Sequence, residues 1–253
     1  MKSPYAAAFF FIRKKDGRLR PVQDYQPINA WTIRNKYPLP LIPQQINRLR
    51  GRTRFTKLDI HWGYNAVQVK KGHEWKVAFM TAEGLYEPLV MFFGLTNSPT
   101  TFQAMMNMLF RTLIASGDLT VYMDDMAIHM GRREGETEEE HISRHRKIVN
   151  KVLTILEENN LYLNIDKCEF EQDHINFLGV HVENNQVKME EGKVDKVKNW
   201  TPPKKPKGSL KVPQIHRVLQ IFHQRILGDC QTATRTHQTI NPMALGCATA
   251  ASL

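Results

Sequence analysis

The sequence has few cysteines and no long apolar run. Its cysteines, Cys168, Cys230 and Cys247, lie far apart and include no close pair. This spacing predicts neither a disulfide framework nor a zinc site, and it fits a reducing, intracellular compartment. No run of about 18 apolar residues occurs, so we expect no membrane span. The opening residues Met1-Lys2-Ser3-Pro4 show no secretory pattern.

The excess of positive charge is concentrated near the end of the chain. Of the net charge of +10, the residues from Lys204 onward carry +6, with seven Lys or Arg and one acid, Asp229. The preceding residues hold 28 basic and 24 acidic side chains and carry only +4. A basic balance hints at nucleic acid, but this larger part is only mildly basic. An inference that the protein binds nucleic acid must therefore rest on local clusters of basic residues.

Two adjacent carboxylates stand between short apolar segments. Strand signals at Leu119–Tyr122 and at residues 126–130 predict a hairpin with Asp124 and Asp125 at its bend. Ionised acids held together there require a cation, and oxygen ligands suit Mg²⁺ or Mn²⁺. A solvated hairpin tip explains the pair equally well on turn chemistry alone, since Asp is common in turns.

Further motifs occur in order along the chain. Asp59 ends an apolar strand-like segment, Phe-Gly-Leu-Thr-Asn-Ser-Pro at residues 93–99 leads into a helix, and Phe177-Leu178-Gly179 follows the Asp pair. Together with Tyr122-Met123-Asp124-Asp125, they resemble the reverse transcriptases of gypsy-type LTR retrotransposons over about residues 3–203. The order and spacing of these motifs make the resemblance specific.

The resemblance implies an α+β fold, a right-hand polymerase palm with a ferredoxin-like antiparallel sheet of four strands and packed helices. Partial fingers would occupy about residues 1–50 and the palm about 51–203. The implied activity is RNA-directed DNA polymerisation, with Asp59, Asp124 and Asp125 as catalytic residues holding two Mg²⁺ ions, or Mn²⁺. The implied partners are an RNA or DNA template with primer, dNTP and other domains of a retrotransposon polyprotein, but no membrane.

A basic hairpin near the start matches the fingers hairpin of this family. Asp16-Gly17 signals its turn, and five cations with one acid occupy residues 13–20. Residues 5–12 are predicted to be a buried strand before it. The resemblance assigns Lys14 and Arg20 to the phosphates of the incoming nucleotide, a role that suits the planar fork of Arg. A solvated edge hairpin is the structural alternative.

Other nucleotide contacts follow from the resemblance alone. Tyr64 would lie under the incoming sugar, where its ring would clash with a 2′-hydroxyl and favour dNTP. Phe93 and Gly94 would flank that sugar, and Met123 of the catalytic motif would also contact the nucleotide. Lys167 would lie near the leaving pyrophosphate, with general acid as a further role.

The resemblance also assigns residues to the primer and template. Asp24 would lie on the template side, within a return strand at residues 22–25. Phe177, Leu178 and Gly179 match the hairpin that grips the primer. Gln26 departs from the Arg that the family usually has, which puts one template-side contact in doubt.

Helix signals occur at three places. Residues 44–49 predict a short helix that Gly51 could end, and Ser98-Pro99 predicts a helix to about Ile114 with Ser98 as its cap. A third helix is predicted over residues 141–158, with His141 and His145 as a surface pair on it rather than part of a zinc site. The polar residues 132–140 before it are predicted to be a solvated loop and helix start.

Strand alternation predicts further sheet segments. Residues 67–69 and 76–79 alternate in hydropathy, with a turn at Gly72-His73 between them. Residues 167–170 and 175–180 predict two short strands.

The family pattern stops at about Lys204. No thumb is recognisable beyond it, and residues 204–253 are expected to form an irregular tail. Shifted codons for residues 216–224 and 241–246 can encode family-like segments, so a frameshift near residues 204–210 is one hypothesis. The coding DNA tests it.

Two other functions stay open at this point. The chain could be a truncated, inactive remnant that at most binds nucleic acid, although its three carboxylates are present. It could also be a group II intron or telomerase type of polymerase. The stretch at residues 92–99 and the Trp200-Thr201-Pro202 segment favour the LTR element.

Overall fold

The computed structural model describes residues 3–13, 17–183 and 186–189. Lys14, with its predicted phosphate contact, and the tail at 204–253, with its predicted frameshift, lie outside these described residues. Within them the fold is α+β, as predicted. No helix in this part of the chain is long and apolar enough to cross a membrane.

The helices and strands follow one another along the whole described part. In chain order the strands are β1 (Ala7–Arg13), β2 (Leu19–Gln23), β3 (Arg54–Asp59), β4 (Phe79–Thr81), β5 (Gly84–Tyr86), β6 (Leu119–Tyr122), β7 (Asp125–Met130), β8 (Glu169–Gln172), β9 (His174–Phe177), β10 (Val180–Glu183) and β11 (Gln186–Met189). The helices are α1 (Gln26–Trp31), α2 (Ile42–Leu49), α3 (Ser98–Leu109), α4 (Arg111–Ser116) and α5 (Glu138–Glu158). Short 3-10 helices cover Gly63–Ala66, Glu74–Val77 and Ile165–Lys167.

A four-stranded antiparallel sheet forms the predicted palm. Its strand order is β6-β7-β3-β8, so the two strands that carry the acids, β3 and β7, are central neighbours. Side chains alternate across a strand, and Leu58 and Met126 point to the face that packs against α3 and α5. Phe102 from α3 and Val152 from α5 are fully buried in that core. The opposite face carries Asp59 at its end.

The basic hairpin belongs to a second sheet, with strand order β2-β1-β4-β5. The antiparallel pairing of β1 with β2 confirms the predicted hairpin. The expectation that β1 is buried is wrong, since Phe10, Phe11 and Ile12 are exposed. The reason is that β1 pairs with β4 only at Ala7 and Ala8, so its second half extends beyond the sheet with β2 as its one partner among the described strands.

The alternating segments after β3 do not form the predicted strands. Residues 67–69 make only an isolated bridge, from Gln68 to Val90. Lys76 and Val77 lie in a 3-10 helix, and the strand β4 begins later, at Phe79. Apolar residues in these segments are buried without forming a strand, as Val77, Ala78 and the half-buried Val67 show.

The predicted helices exist, with shifted ends. Helix α2 begins at Ile42, and α5 begins at Glu138 behind a capping box formed by Thr137 and Glu140. Helix α3 begins at Ser98, but Asn97 is its cap rather than Ser98. The helix predicted to run to Ile114 is interrupted at Phe110, where α4 takes over.

The prediction of a surface pair at His141 and His145 is wrong, because both side chains are buried. The Nε2 atom of His141 lies 3.1 Å from Thr53 Oγ1, and that of His145 lies 2.8 Å from Thr56 Oγ1. A third buried pair joins His129 to Thr120 at 2.8 Å within the β6–β7 hairpin. These imidazoles are structural parts of the palm.

Candidate active site

The Asp pair lies in a tight turn between β6 and β7. Tyr122 pairs with Asp125, so Met123 and Asp124 alone form the loop, which we call the catalytic turn. Met123 has a φ of 55°, a positive value at the first loop position of a two-residue hairpin, which usually favours Gly. A bulky residue held there marks a strained backbone, a feature that clusters at functional sites.

Asp59 lies beside this turn because of the strand register. It is the cross-strand partner of Asp125, so their side chains share one face of the sheet. The amide of Ile60 donates a 3.0 Å hydrogen bond to the carbonyl of Asp124. The strand register therefore places Asp59 opposite Asp125, and the backbone of the catalytic turn is hydrogen-bonded to the end of β3.

The carboxylates interact electrostatically. Burial raises the pKa of Asp125 above its ordinary value, and the negative charges of Asp124 and Asp59 raise it further. Lys57 and Lys167 oppose this rise with their positive charges. A cation at this end of the sheet would relieve the repulsion among the three acids.

One cation is already present, on the side chain of Lys167. Its Nζ lies 3.2 Å from both carboxylate oxygens of Asp59. The Lys167 side chain is 62% exposed and the Asp59 side chain only 14% exposed. Because the amine is solvated, this ion pair contributes little to stability, but it places a positive charge beside the poorly exposed Asp59 carboxylate.

The donor chemistry of the three acids fits a divalent ion. Carboxylate oxygens are the ligands that Mg²⁺ and Mn²⁺ prefer. Across the described residues, no three His, Cys, Asp or Glu side chains converge on one point, and the Asp59 carboxylate is paired with Lys167. The three Asp residues would hold an ion once Asp59 exchanged its amine partner for the metal.

An aromatic wall adjoins the catalytic turn. The Tyr64 ring lies 4.8 Å from the Phe93 ring, and the guanidinium of Arg20 lies 5.0 Å above Phe93. The Tyr64 hydroxyl donates to the sulfur of Met123 at 3.5 Å. Burial, followed by the charge of Asp124, raises the pKa of Tyr64, so this hydroxyl remains protonated. Four residues assigned to the nucleotide, Arg20, Phe93, Tyr64 and Met123, are thus joined by successive contacts.

Gly63 allows Tyr64 to sit in this wall. A Cβ on Gly63 would lie 2.6 Å from Cζ of Phe102, closer than side-chain atoms approach one another. Phe102 is fully buried, and its ring packs edge-on against Tyr64 with centroids 5.5 Å apart. The Gly63–Phe102 contact therefore fixes the depth of the Tyr64 ring.

Gly94 follows Phe93 in a loop fastened to α1. Its φ of 97° strains any other residue. Asn29 donates to the carbonyl of Gly94 at 2.7 Å and accepts from the amide of Thr96 at 2.8 Å. Sequence reasoning missed Asn29, whose position in a short helix gave no sign of this partner.

The residues assigned to primer and template lie in other elements. Asp24 accepts a hydrogen bond from the amide of Gln26 at the start of α1. Leu178 and Gly179 form the turn between β9 and β10, both at positive φ, as a type I′ turn requires. Phe177 is buried, so its ring supports that turn from inside the protein.

Gln103 of α3 is a second residue that sequence reasoning missed. Its side chain is fully buried behind the catalytic turn, and its Oε1 accepts a 2.7 Å hydrogen bond from the amide of Met123. A polar residue next to the apolar stripe of α3 was the one available signal. The stripe itself, with Met106 and Leu113 buried in the core, is confirmed.

Comparisons with known proteins follow the same motifs. The family model described as reverse transcriptase (RNA-dependent DNA polymerase) matches residues 12–182. The Tf2-3 and Tf2-7 transposon polyproteins of Schizosaccharomyces pombe are 38% and 37% identical to this chain over 206 residues. Each match covers 81% of this chain, which spans about 15% of the length of these relatives.

Solved structures share the fold. A foamy viral protease-reverse transcriptase in complex with an RNA/DNA hybrid matches with a TM-score of 0.70 at 21% identity, over 88% of this chain and 28% of that chain. A form of the same viral protein in complex with double-stranded DNA matches with a TM-score of 0.74 at 20% identity, over 92% and 40%. These likenesses confirm the predicted polymerase architecture.

Proposed function

Because this chain belongs to the reverse transcriptase family of gypsy-type LTR retrotransposons, we propose that Asp59, Asp124 and Asp125 are the catalytic carboxylates of an RNA-directed DNA polymerase. The observation that carries this proposal is the cross-strand pairing of Asp59 with Asp125 at the end of the palm sheet. The aromatic wall of Tyr64 and Phe93 stands beside it. A solvated hairpin tip would require neither the pairing of Asp59 with Asp125 nor the aromatic wall.

The reaction is nucleotidyl transfer to a primer. The oxygen of the primer 3′-hydroxyl forms a bond to the α-phosphorus of a dNTP, the bond from that phosphorus to pyrophosphate breaks, and the hydroxyl proton is released. Reverse transcriptases generally depend on a divalent metal ion. Two Mg²⁺ ions held by the three Asp residues would lower the pKa of the hydroxyl and neutralise charge on the phosphates.

The aromatic wall would hold the nucleotide. Arg20 would bind its phosphates, together with Lys14. The position of the Arg20 guanidinium over the Phe93 ring supports the assignment of Arg20, because it holds this group beside the wall. Phe93 and Gly94 would flank the sugar. Tyr64 would exclude a 2′-hydroxyl, because its ring is held against Phe102 and cannot retreat.

Met123 of the catalytic turn and the amine of Lys167 would act on opposite ends of the nucleotide. Met123 would line the sugar side, where the Tyr64 hydroxyl holds its sulfur. Lys167 would stabilise the departing pyrophosphate with the amine that now pairs with Asp59. An exposed amine of this kind can move from one anion to another at low cost.

The polymer substrate would be an RNA or DNA template with its primer. We assign Asp24 to the template side and the turn of Phe177, Leu178 and Gly179 to the primer, with Phe177 acting from inside. Structural neighbours bound to an RNA/DNA hybrid and to double-stranded DNA support this substrate class. Since the relatives are long polyproteins, other domains of such a polyprotein are proposed partners.

The test is incorporation of labelled dTTP on an oligo(dT)-primed poly(rA) template with Mg²⁺ or Mn²⁺. Asp124→Asn keeps the size of the side chain and removes its charge, so activity should fall by about a thousandfold or more. Glu134→Gln, an exposed acid in a loop, is the matched control and should retain full activity.

Two results would overturn the proposal. One is incorporation that survives Asp124→Asn, which would place the chemistry elsewhere. The other is no incorporation by a protein shown to be folded by circular dichroism, which would favour the inactive, nucleic-acid-binding remnant.

A further inference from the structure

Gln103 is a buried polar residue directly behind the catalytic turn. Its Oε1 accepts from the amide of Met123 at 2.7 Å, and its Nε2 lies 3.4 Å from the carbonyl of Val121. A buried amide group is costly unless its hydrogen bonds are made. The side chain of Gln103 therefore holds the backbone on both sides of Tyr122.

The hydrogen bonds continue outward from Gln103. Its Nε2 donates to Oδ1 of Asn107 at 2.9 Å, one turn further along α3. Nδ2 of Asn107 donates in turn to the hydroxyl of Tyr37 at 2.8 Å. Tyr37 belongs to the segment that leads from α1 into α2. An unbroken series of hydrogen bonds thus connects that segment with the catalytic turn.

The direction of every bond in the series is fixed. The amide of Met123 can only donate and the carbonyl of Val121 can only accept, so the carboxamide of Gln103 has one possible orientation. Its N–H then requires the oxygen of Asn107, which leaves the N–H of Asn107 for the hydroxyl of Tyr37. Because no flipped arrangement satisfies all these groups, the series favours a single geometry.

We propose that Tyr37, Asn107 and Gln103 are positioning residues that hold Met123 at its positive φ and thereby set the places of Asp124 and Asp125. This inference rests on the proposed function only for the catalytic role of the two acids. A residue in a sparsely populated backbone conformation persists when its surroundings hold it there. The bond from the Met123 amide to Gln103 is the contact that does so.

The far end of the series separates this role from ordinary core packing. Tyr37→Phe removes only a half-buried hydroxyl, at a distance from the catalytic turn. A packing defect confined to Tyr37 would leave Met123 unchanged. A positioning series transmits the loss, because Asn107 is then free to turn and releases Gln103.

The experiment uses the full chain labelled with ¹⁵N-methionine, in which the amide signal of Met123 is identified by its absence in Met123→Leu. Tyr37→Phe and Gln103→Met are compared with Tyr86→Phe and Met106→Leu. The first control removes a different tyrosine hydroxyl, and the second alters another fully buried side chain of α3. Amide exchange of Met123 and steady-state incorporation of dTTP are measured for each.

Tyr37→Phe and Gln103→Met should each shift the Met123 amide signal and speed its hydrogen exchange. Tyr86→Phe and Met106→Leu should leave that signal in place. Incorporation should lose about fivefold in kcat for Tyr37→Phe, the factor of one ordinary hydrogen bond, with the KM for dTTP unchanged. An unmoved Met123 signal in both Tyr37→Phe and Gln103→Met would overturn the inference. A chain that incorporates nothing but shows the expected shifts supports the positioning series and contradicts the proposed function.

Discussion

The hydroxyl of Tyr64 lies 3.5 Å from the sulfur of Met123, which joins the turn after β3 to the turn that carries Asp124. Tyr64 is held on its other side by Phe102. The residue assigned to sugar discrimination is therefore fixed between the core and the catalytic turn, and its position is expected to change little when a nucleotide binds.

Tyr64→Val should relax discrimination between deoxyribonucleotides and ribonucleotides. Without the ring, the space beside Phe93 can accept a 2′-hydroxyl, so we expect the preference for dTTP over UTP to fall roughly ten- to hundredfold. Tyr64→Phe is the matched control, since it keeps the ring and removes only the contact with Met123. Relative kcat/KM for dTTP and UTP is the measurement, and an unchanged ratio in Tyr64→Val would contradict the assignment.

Lys167→Gln should strengthen the binding of Mg²⁺. The amine of Lys167 neutralises Asp59, and without it the three acids attract a cation more strongly. Because the amine is exposed, the gain should be at most about fivefold in the dissociation constant. Isothermal titration with Mg²⁺ measures it directly, with the exposed Lys71→Gln as a charge-matched control. Weaker or equal binding would show that Lys167 does not compete with the metal.

The free energy of unfolding should fall as pH falls below about 6.5, the ordinary pKa of His. Burial lowers the pKa of His145 to about 4 and that of His129 to about 3 in the folded protein. Between these values and 6.5 the unfolded chain binds more protons than the folded protein. The contribution of these two histidines to the free energy of unfolding is therefore fully present above pH 6.5 and is lost towards pH 4. For His145 alone the loss approaches roughly 3 kcal/mol.

Urea unfolding at pH 7.5, 6 and 5 measures the slope of the free energy of unfolding against pH. Acids such as Glu136, whose folded pKa is lowered to about 2 by Arg144, add to the loss only near and below their ordinary value of 4.5. His145→Gln should flatten this slope between pH 7.5 and 5, because it removes an imidazole whose pKa burial lowers in the folded protein. An equal slope in His145→Gln would mean that this imidazole is not the group that titrates.

Gly63→Ala should destabilise the palm and disturb the aromatic wall. The new methyl group meets the buried ring of Phe102, and such overpacking costs about 1–3 kcal/mol. Phe102→Leu vacates that space, so the double variant should lose less stability than the sum of the single variants. Thermal unfolding of the unmodified protein, the two single variants and the double variant gives the coupling free energy between Gly63→Ala and Phe102→Leu. Strict additivity would show that the methyl group is accommodated elsewhere.

Local signals in the sequence predicted much of the palm. Strand patterns on both sides of Asp124 and Asp125 predicted the hairpin, and the family resemblance implied an antiparallel sheet of four strands, which the structure has. In the structure Asp59 pairs with Asp125 across the strands, and Tyr64 packs against Phe93, while the roles that the resemblance assigns to these residues stay predictions. Each of these features depends on residues adjacent in sequence or on a motif.

Features that depend on distant partners were predicted poorly. The buried His145 of helix α5 contacts Thr56 of strand β3, and nothing in the helix sequence around His145 indicates this partner. The exposure of Phe11 depends on how far β4 extends along β1. Gln103 was missed for the same reason, since its partner Met123 lies across the core.

The pairing of Ala7 in β1 with Phe79 in β4 also determines the order in which the molecule can be built. Strand β3 of the palm lies between these residues in sequence, so the ribosome completes it before the sheet that contains the basic hairpin can close. The polypeptide passes from that sheet into the palm and back again. No single proteolytic cut can therefore release these two sheets as separate folding units, and a nascent fragment that ends before residue 79 would lack strands β4 and β5 of the sheet that contains the basic hairpin.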